Sequence, residues 1–172
     1  MRDALAEGRR DTERGGGGLN LFRKREPPLL LKAVVCFTSP AMTRYAVDWL
    51  RNLGGCRPIG VLSDDCGDVV WQCDTEQADL LLLETDFTEG VEDKDVSARC
   101  DIAIEIKRWR PECRVYLICE DGYLKKQAAL EKAAELKLID GYCIGNLSAQ
   151  QVRTWLDETK EVMKAVARPL QL

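Results

Sequence analysis

The sequence predicts a three-layer α/β domain, in which helices cover both faces of a doubly wound parallel sheet. A run of leucines from Leu80 to Leu83 ends at Glu84. The run is too short for a membrane span and too uniform for a half-exposed strand, so it indicates a strand buried on both faces. From Leu31 onward, β-prone apolar segments alternate with segments of helical spacing. This alternation predicts a (βα)5 domain.

Each predicted strand is a short apolar segment bounded by polar or turn-forming residues. Segments of this length suit strands better than helices. The predicted strands cover residues 31–37, 58–62, 79–84, 114–119 and 138–144.

The helices between them are predicted from end signals. Ser39 supplies an N-cap, Pro40 the first helical position, and Gly54 the stop. Ser148 and Gln151 form a reciprocal capping pair before the last helix. The predicted helices cover residues 39–53, a short or irregular stretch within 64–77, then 97–110 after an acidic loop at 85–96, 122–137, and 148–166.

Apolar residues at helical spacing predict the inner faces of these helices. In the first helix they are Met42, Tyr45, Ala46, Trp49, Leu50 and Leu53. We expect Ala98, Ile102, Ile106 and Trp109 to face inward in the third helix, and Trp155, Leu156, Val162, Met163 and Val166 in the last.

Right-handed crossovers favour the strand order 2-1-3-4-5, with the chain reversing direction across the sheet between strands one and three. In open parallel sheets, ligands bind where such a reversal leaves a crevice at the carboxyl ends of the strands. The sequence therefore predicts a site built from the residues at and directly after the strand ends. Its candidate residues are Thr38, Ser39, Glu84, Thr85 and Asp86, flanked by Cys119, Glu120, Gly145 and Asn146.

Composition excludes several functions. The chain has 172 residues and a net charge of −4, from 25 basic and 29 acidic residues, which is not the electrostatic footprint of a nucleic-acid or membrane-surface protein. No apolar run approaches the roughly 18–20 residues that span a bilayer, and the N-terminus lacks a signal-peptide core. We therefore expect a cytoplasmic protein that binds neither nucleic acid nor membrane.

Histidine is absent, which removes His-based acid–base catalysis, Ser-His and Cys-His pairs and most catalytic zinc sites. The sequence contains eight cysteines but no C-x-x-C pair. We expect these cysteines to be reduced and to serve as small buried residues.

The chain divides into three predicted parts. Residues 1–30 carry charge, a glycine run at 15–18 and little to bury, which predicts a disordered tail. Residues 31–167 form the domain, and residues 168–172 form a short C-terminal tail without an output domain.

The ordered part resembles the receiver domain of response regulators, which has a flavodoxin-like fold. Residues 78–84 resemble the family's P-D-L-hydrophobic-L-L-D strand, residues 110–115 the approach to its fourth strand, and residues 141–148 its fifth strand and last helix entry. The resemblance implies that Glu84 stands at the position of the phosphoacceptor aspartate.

The family's catalytic residues do not carry over. Thr38 and Ser39 replace the acidic pair that holds Mg²⁺, Cys119 replaces a hydroxyl residue, and Gly145 replaces a lysine. Without those carboxylates Mg²⁺ loses its oxygen ligands, and without the lysine the transferred group loses a positioned cation. The sequence therefore predicts a pseudo-receiver, non-enzymatic and without metal or cofactor.

Two alternatives stay open. Asp86, or another displaced carboxylate, could accept a phosphoryl group. The adjacent Asp64-Asp65 pair could bind Mg²⁺ or a ribose, although a capping and turn role is favoured. The chain could also bind a small molecule as flavodoxins do. However, Pro40 removes a backbone donor from the would-be phosphate loop, and Ala41 stands where glycine would allow close approach.

A regulatory module without an output domain must act through contacts with a protein partner or in a homodimer. In the receiver family such contacts commonly use the face made by helix four, strand five and helix five. Here that face is predicted to include Tyr123, Lys126, Tyr142 and Arg153.

Overall fold

The computed structural model describes residues 29–62, 66–85, 92–122 and 124–167, with side chains omitted at 66 and 92–95. Strands and helices alternate throughout this part of the chain. In chain order they are β1 Leu31–Cys36, α1 Pro40–Leu53, β2 Cys56–Gly60, α2 Cys66–Glu76, β3 Leu80–Glu84, α3 Glu92–Trp109, β4 Arg114–Cys119, α4 Leu124–Glu135, β5 Gly141–Ile144 and α5 Ala149–Ala167.

The strands form one parallel sheet in the order β2-β1-β3-β4-β5, which confirms the predicted flavodoxin-like fold. The leucines of β3 are fully buried, and they alternate between the two faces of the sheet. Leu81 and Leu83 join a core with α2, α3 and α4, whereas Leu80 and Leu82 join a second core with α1 and α5. A strand covered on both faces must be apolar at every position, which explains the uniform run.

Several predicted boundaries are shifted. α3 begins at Glu92, inside the predicted acidic loop. β2 covers Cys56–Gly60 and lies two residues earlier than predicted. β5 begins at Gly141, three residues after the predicted start, where a Cβ atom would lie 3.1 Å from the ring of Tyr116.

Five residues predicted to face inward are exposed: Met42, Tyr45, Ala98, Trp109 and Val166. Trp109 and Val166 lie in the last turns of α3 and α5, where those helices extend past the core. The predicted tails lie outside the described residues, apart from Leu29 and Leu30. In the part of the chain that is described, no helix combines the length and the apolar character needed to cross a membrane.

Cysteine is buried wherever its side chain is described. Cys36, Cys56, Cys73, Cys100, Cys113, Cys119 and Cys143 form no disulfide among the described residues. Burial raises the pKa of several of these thiols, so they remain protonated at neutral pH. These positions agree with the use of cysteine as a small apolar residue.

Candidate functional site

The carboxyl ends of four strands meet at one edge of the sheet. Because the strands are parallel and β1 lies beside β3, the residues directly after them are neighbours. Thr38 comes after β1, Glu84 ends β3, Cys119 ends β4 and Gly145 comes after β5. The fold therefore places these four residues, which the sequence assigned to the site, at the same edge of the sheet.

Glu84 is half-exposed and bound to the turn between β1 and α1. The backbone N–H and the hydroxyl of Thr38 both donate to one carboxylate oxygen, Oε2, of Glu84. Ser39 is engaged differently, since its Oγ accepts from the N–H of Met42 at 3.1 Å and caps α1. The two hydroxyl residues after β1 thus act in a carboxylate contact and a helix cap.

Three of the described residues at this edge, Thr85, Cys119 and Gly145, are uncharged. The backbone N–H of Thr85 donates to the carbonyl of Ile118 at 2.8 Å, and its buried Oγ1 has no hydrogen-bond partner among the described residues. The thiol of Cys119 donates to the carbonyl of Glu120 at 3.3 Å. The N–H of Gly145 donates to the carbonyl of Cys119 at 2.8 Å. Gly145 has a φ of +77°, which a residue with a side chain adopts only with strain.

A crevice of about 550 Å³ opens next to Glu84. One wall is the exposed side of α1, and the opposite wall is the loop between β5 and α5. Its two carboxylates are Glu84 and Glu120, and no lysine or arginine is among its described lining residues. The remaining lining residues are Phe37, Met42, Tyr45, Ala46, Trp49, Ile118, Cys119, Gly145, Asn146, Leu147 and Ala149.

Sequence reasoning missed the aromatic wall of this crevice. Met42 and Tyr45 share helical spacing with core residues of α1, yet they are 49% and 69% exposed. A usable signal was present, because α1 carries more apolar residues than one buried stripe requires. Apolar residues in excess of that stripe are typical of a helix that also contacts a ligand or partner.

The described residues contain no group of three or more Cys, Asp or Glu side chains placed to hold a metal ion. The crevice offers only the carboxylates of Glu84 and Glu120 among its described lining residues, and magnesium sites in proteins usually combine carboxylates with substrate oxygens. Asp86 and the Asp64-Asp65 pair lie outside the described residues.

The predicted interaction face is only partly exposed. Lys126 is 6% exposed, so its assignment to an exposed face is wrong: it shares the inward stripe of α4 with Leu130 and Ala133. Tyr142 is half-buried and packs against the core. Arg153 is exposed, and Tyr123 lies outside the described residues.

Solved structures share this fold. The chain is similar to a response regulator receiver domain protein from Clostridium thermocellum, with 14% identity, a TM-score of 0.64, and coverage of 80% of this chain and 99% of that one. It is also similar to the REC domain of AraT, a response regulator from Geobacillus stearothermophilus, with 13% identity, a TM-score of 0.56, and coverage of 81% and 100%. No family model and no curated protein matches the sequence. These similarities confirm the fold that the sequence resemblance implied.

Proposed function

We propose that this chain is a non-catalytic, receiver-like signalling module that regulates through protein–protein contacts and is not phosphorylated by the usual aspartate chemistry. The observation that carries the proposal is the pair of hydrogen bonds that Glu84 accepts. It occupies the end of β3, and both donors of Thr38 hold one of its oxygens. A side chain held in this way contributes a fixed contact between β3 and the β1–α1 turn.

The surrounding chemistry supports the same proposal. Phosphoryl transfer depends on positioned cations that stabilise charge on the transferred group. Here the crevice beside Glu84 is lined by two carboxylates, and no cationic side chain is among its described lining residues. A phosphoryl group would be repelled at this edge, whereas apolar and hydrogen-bonding protein contacts would not be.

Intact-mass spectrometry after incubation with Mg²⁺ and acetyl phosphate tests the proposal. We expect no gain of a phosphoryl group by the wild-type chain. We also expect none by Glu84→Asp, because restoring the aspartate does not restore the magnesium ligands or the cation. A receiver domain with the complete set of residues, treated in parallel, controls for the reagent.

A stable mass gain on the wild-type chain would contradict this proposal. If Asp86→Asn abolished that gain, the chain would be a receiver with a displaced phosphoacceptor. We propose further that the protein is cytoplasmic and that it works as a homodimer or with a protein partner. Light scattering coupled to size-exclusion chromatography, with Arg153→Glu as the test variant, examines the predicted face.

The crevice favours a second candidate, the binding of a small molecule. Its volume of about 550 Å³ and its aromatic wall suit an organic ligand. Trp49 lines the crevice, so its fluorescence should change when a ligand binds. Flavin absorbance in the purified protein would favour this candidate, whereas fluorescence unchanged across flavins and nucleotides would count against it.

A further inference from the structure

A groove between α2 and α3 is bordered by two unusually exposed tryptophans. Trp71 on α2 is 63% exposed and Trp109 on α3 is 71% exposed. The two indoles border an open groove of about 490 Å³, which lies away from the carboxyl-edge crevice and shares no lining residue with it. Exposed tryptophans are uncommon on surfaces that contact only water, and they are enriched at binding hot spots.

The floor of this groove is apolar and packs against the core. Val70 lines it and packs against the core formed by α2, α3 and α4. A separate cavity of only about 10 Å³ shares Val70 with the groove and is also lined by the buried residues Cys73 and Ile106. A side chain entering between the indoles would therefore contact apolar surface on three sides without displacing the core.

The charges around the groove are mainly acidic. Asp74 and Glu105 line it, and Asp101 is exposed one turn before Glu105 on the same face of α3. Arg108 pairs with Glu105 at 3.1 Å. Arg110 is only 17% exposed and is paired with acidic side chains of its own, so it adds little positive charge to the open groove.

These features select one kind of occupant. A small molecule in so open a groove would stay largely in water, whereas ligand pockets bury about 70–90% of a drug-sized ligand. Nucleic acid would meet carboxylates instead of the lysines and arginines that contact phosphates. Arginine and lysine side chains, in contrast, stack on indole faces and pair with carboxylates.

We propose that the α2–α3 groove binds a segment of another protein that carries a large apolar side chain beside arginine or lysine. The apolar side chain fills the space between Trp71 and Trp109, and the basic side chains contact Asp74 and Glu105. This inference rests on the proposed function, since it names the surface and the partner chemistry through which the module acts.

Selection from a random-sequence peptide library displayed on phage, with the full chain as bait, tests this inference. We expect enriched peptides to pair arginine or lysine with a neighbouring leucine, phenylalanine or tryptophan. A synthetic copy of an enriched peptide should shift the indole NMR signals of Trp71 and Trp109 and leave that of buried Trp155 in place. Its affinity should fall with rising salt.

Variants of the full chain test which residues bind the peptide. Trp71→Ala and Trp109→Ala should each weaken the peptide's affinity by about tenfold or more, as truncation of a hot-spot residue does. Asp74→Asn should weaken it less. Both tryptophans are exposed, so thermal melting should confirm that the variants fold. Tyr45→Ala, in the carboxyl-edge crevice, is the matched control and should leave the affinity unchanged.

The inference would be overturned by no enrichment, by enrichment of acidic peptides, or by binding that survives both tryptophan changes. If changing Arg23, Lys24 and Arg25 to glutamate raised peptide affinity, the chain's own segment would be the competitor, and a partner protein would be the wrong occupant. Phosphorylation by acetyl phosphate would instead overturn the proposed function while leaving the peptide result unaffected, so the two failures are distinguishable.

Discussion

The two edges of the sheet differ in how their charged side chains are used. At the amino edge, where the strands begin, acidic and basic side chains are paired with each other and with backbone groups. At the carboxyl edge, the carboxylate of Glu84 contacts uncharged Thr38, and a crevice lies open beside it. The charged side chains of the amino edge therefore stabilise the fold, whereas the carboxyl edge keeps an accessible surface.

Asp140 shows the first kind of use. Its carboxylate accepts from Lys107 Nζ at 2.6 Å and from Arg114, and it also accepts from the N–H of Val115 at 2.8 Å. The side chain of Asp140 is 9% exposed. Asp79 repeats the pattern, since it accepts from the N–H of Lys32 at 2.8 Å. These contacts connect the starts of the strands to the ends of the helices.

We therefore expect the largest loss of stability from substitutions at the amino edge. We expect Asp140→Ala to lower the free energy of unfolding by about 3–5 kcal/mol, because it leaves two partly buried cations and a backbone N–H without their common acceptor. Urea denaturation measures the change. The matched control is Asp157→Ala on α5, whose carboxylate is 74% exposed and paired with Lys160.

We expect that control to change stability by less than about 1 kcal/mol, because exposed ion pairs contribute little. Equal losses in the two variants would show that the amino-edge cluster does not stabilise the fold. Asp140→Asn keeps one acceptor oxygen and should lie between them, which separates the loss of hydrogen bonds from the loss of charge.

The next largest expected effect is a pH dependence of stability that arises from buried thiols near the amino edge. Burial raises the pKa of Cys113 from 9.0 to about 12, and it raises the pKa of Cys73 in the same direction. A thiol with a raised folded-state pKa deprotonates first in the unfolded chain. Its stabilising contribution is therefore complete below pH 9 and is lost as the pH rises towards 12.

Stability should accordingly fall with rising pH above 9, by up to about 1.4 kcal/mol per pH unit for each such thiol. Urea denaturation under reducing conditions at a series of pH values measures the slope. Cys113→Ala should reduce that slope while lowering stability at neutral pH. A slope unchanged by Cys113→Ala would mean that this thiol is not shielded from water.

The fold was predictable because local signals and burial agree for most elements. The leucine run indicated a strand covered on both faces, and Ser39 with Pro40 located the start of α1. The errors occurred where tertiary context decides. Trp109 was assigned inward from its spacing, although α3 extends past the core there. Lys126 was assigned to an exposed face because the receiver family commonly uses that face for contacts, although its long apolar stem allows burial.

The position of the candidate site was also predictable, because strand order alone places Thr38 beside Glu84. The crevice and the α2–α3 groove were not. Both depend on which apolar side chains no described element covers, as with Tyr45 and Trp71. The sequence records that a residue is apolar, and only the packed helices determine whether anything covers it.

We expect the smallest loss of stability from substitutions at the carboxyl edge. Glu84→Ala should lower the free energy of unfolding by about 1 kcal/mol, since a half-exposed side chain exchanges its hydrogen bonds with water at little net cost. Thr38→Val should cost a similar amount. Because the two residues contact each other, the double variant should cost less than the sum of the single changes, with a coupling of about 0.5–1 kcal/mol in urea denaturation. Additive losses would mean that the contact contributes nothing to stability, whereas a loss from Glu84→Ala as large as that from Asp140→Ala would remove the distinction between the two edges.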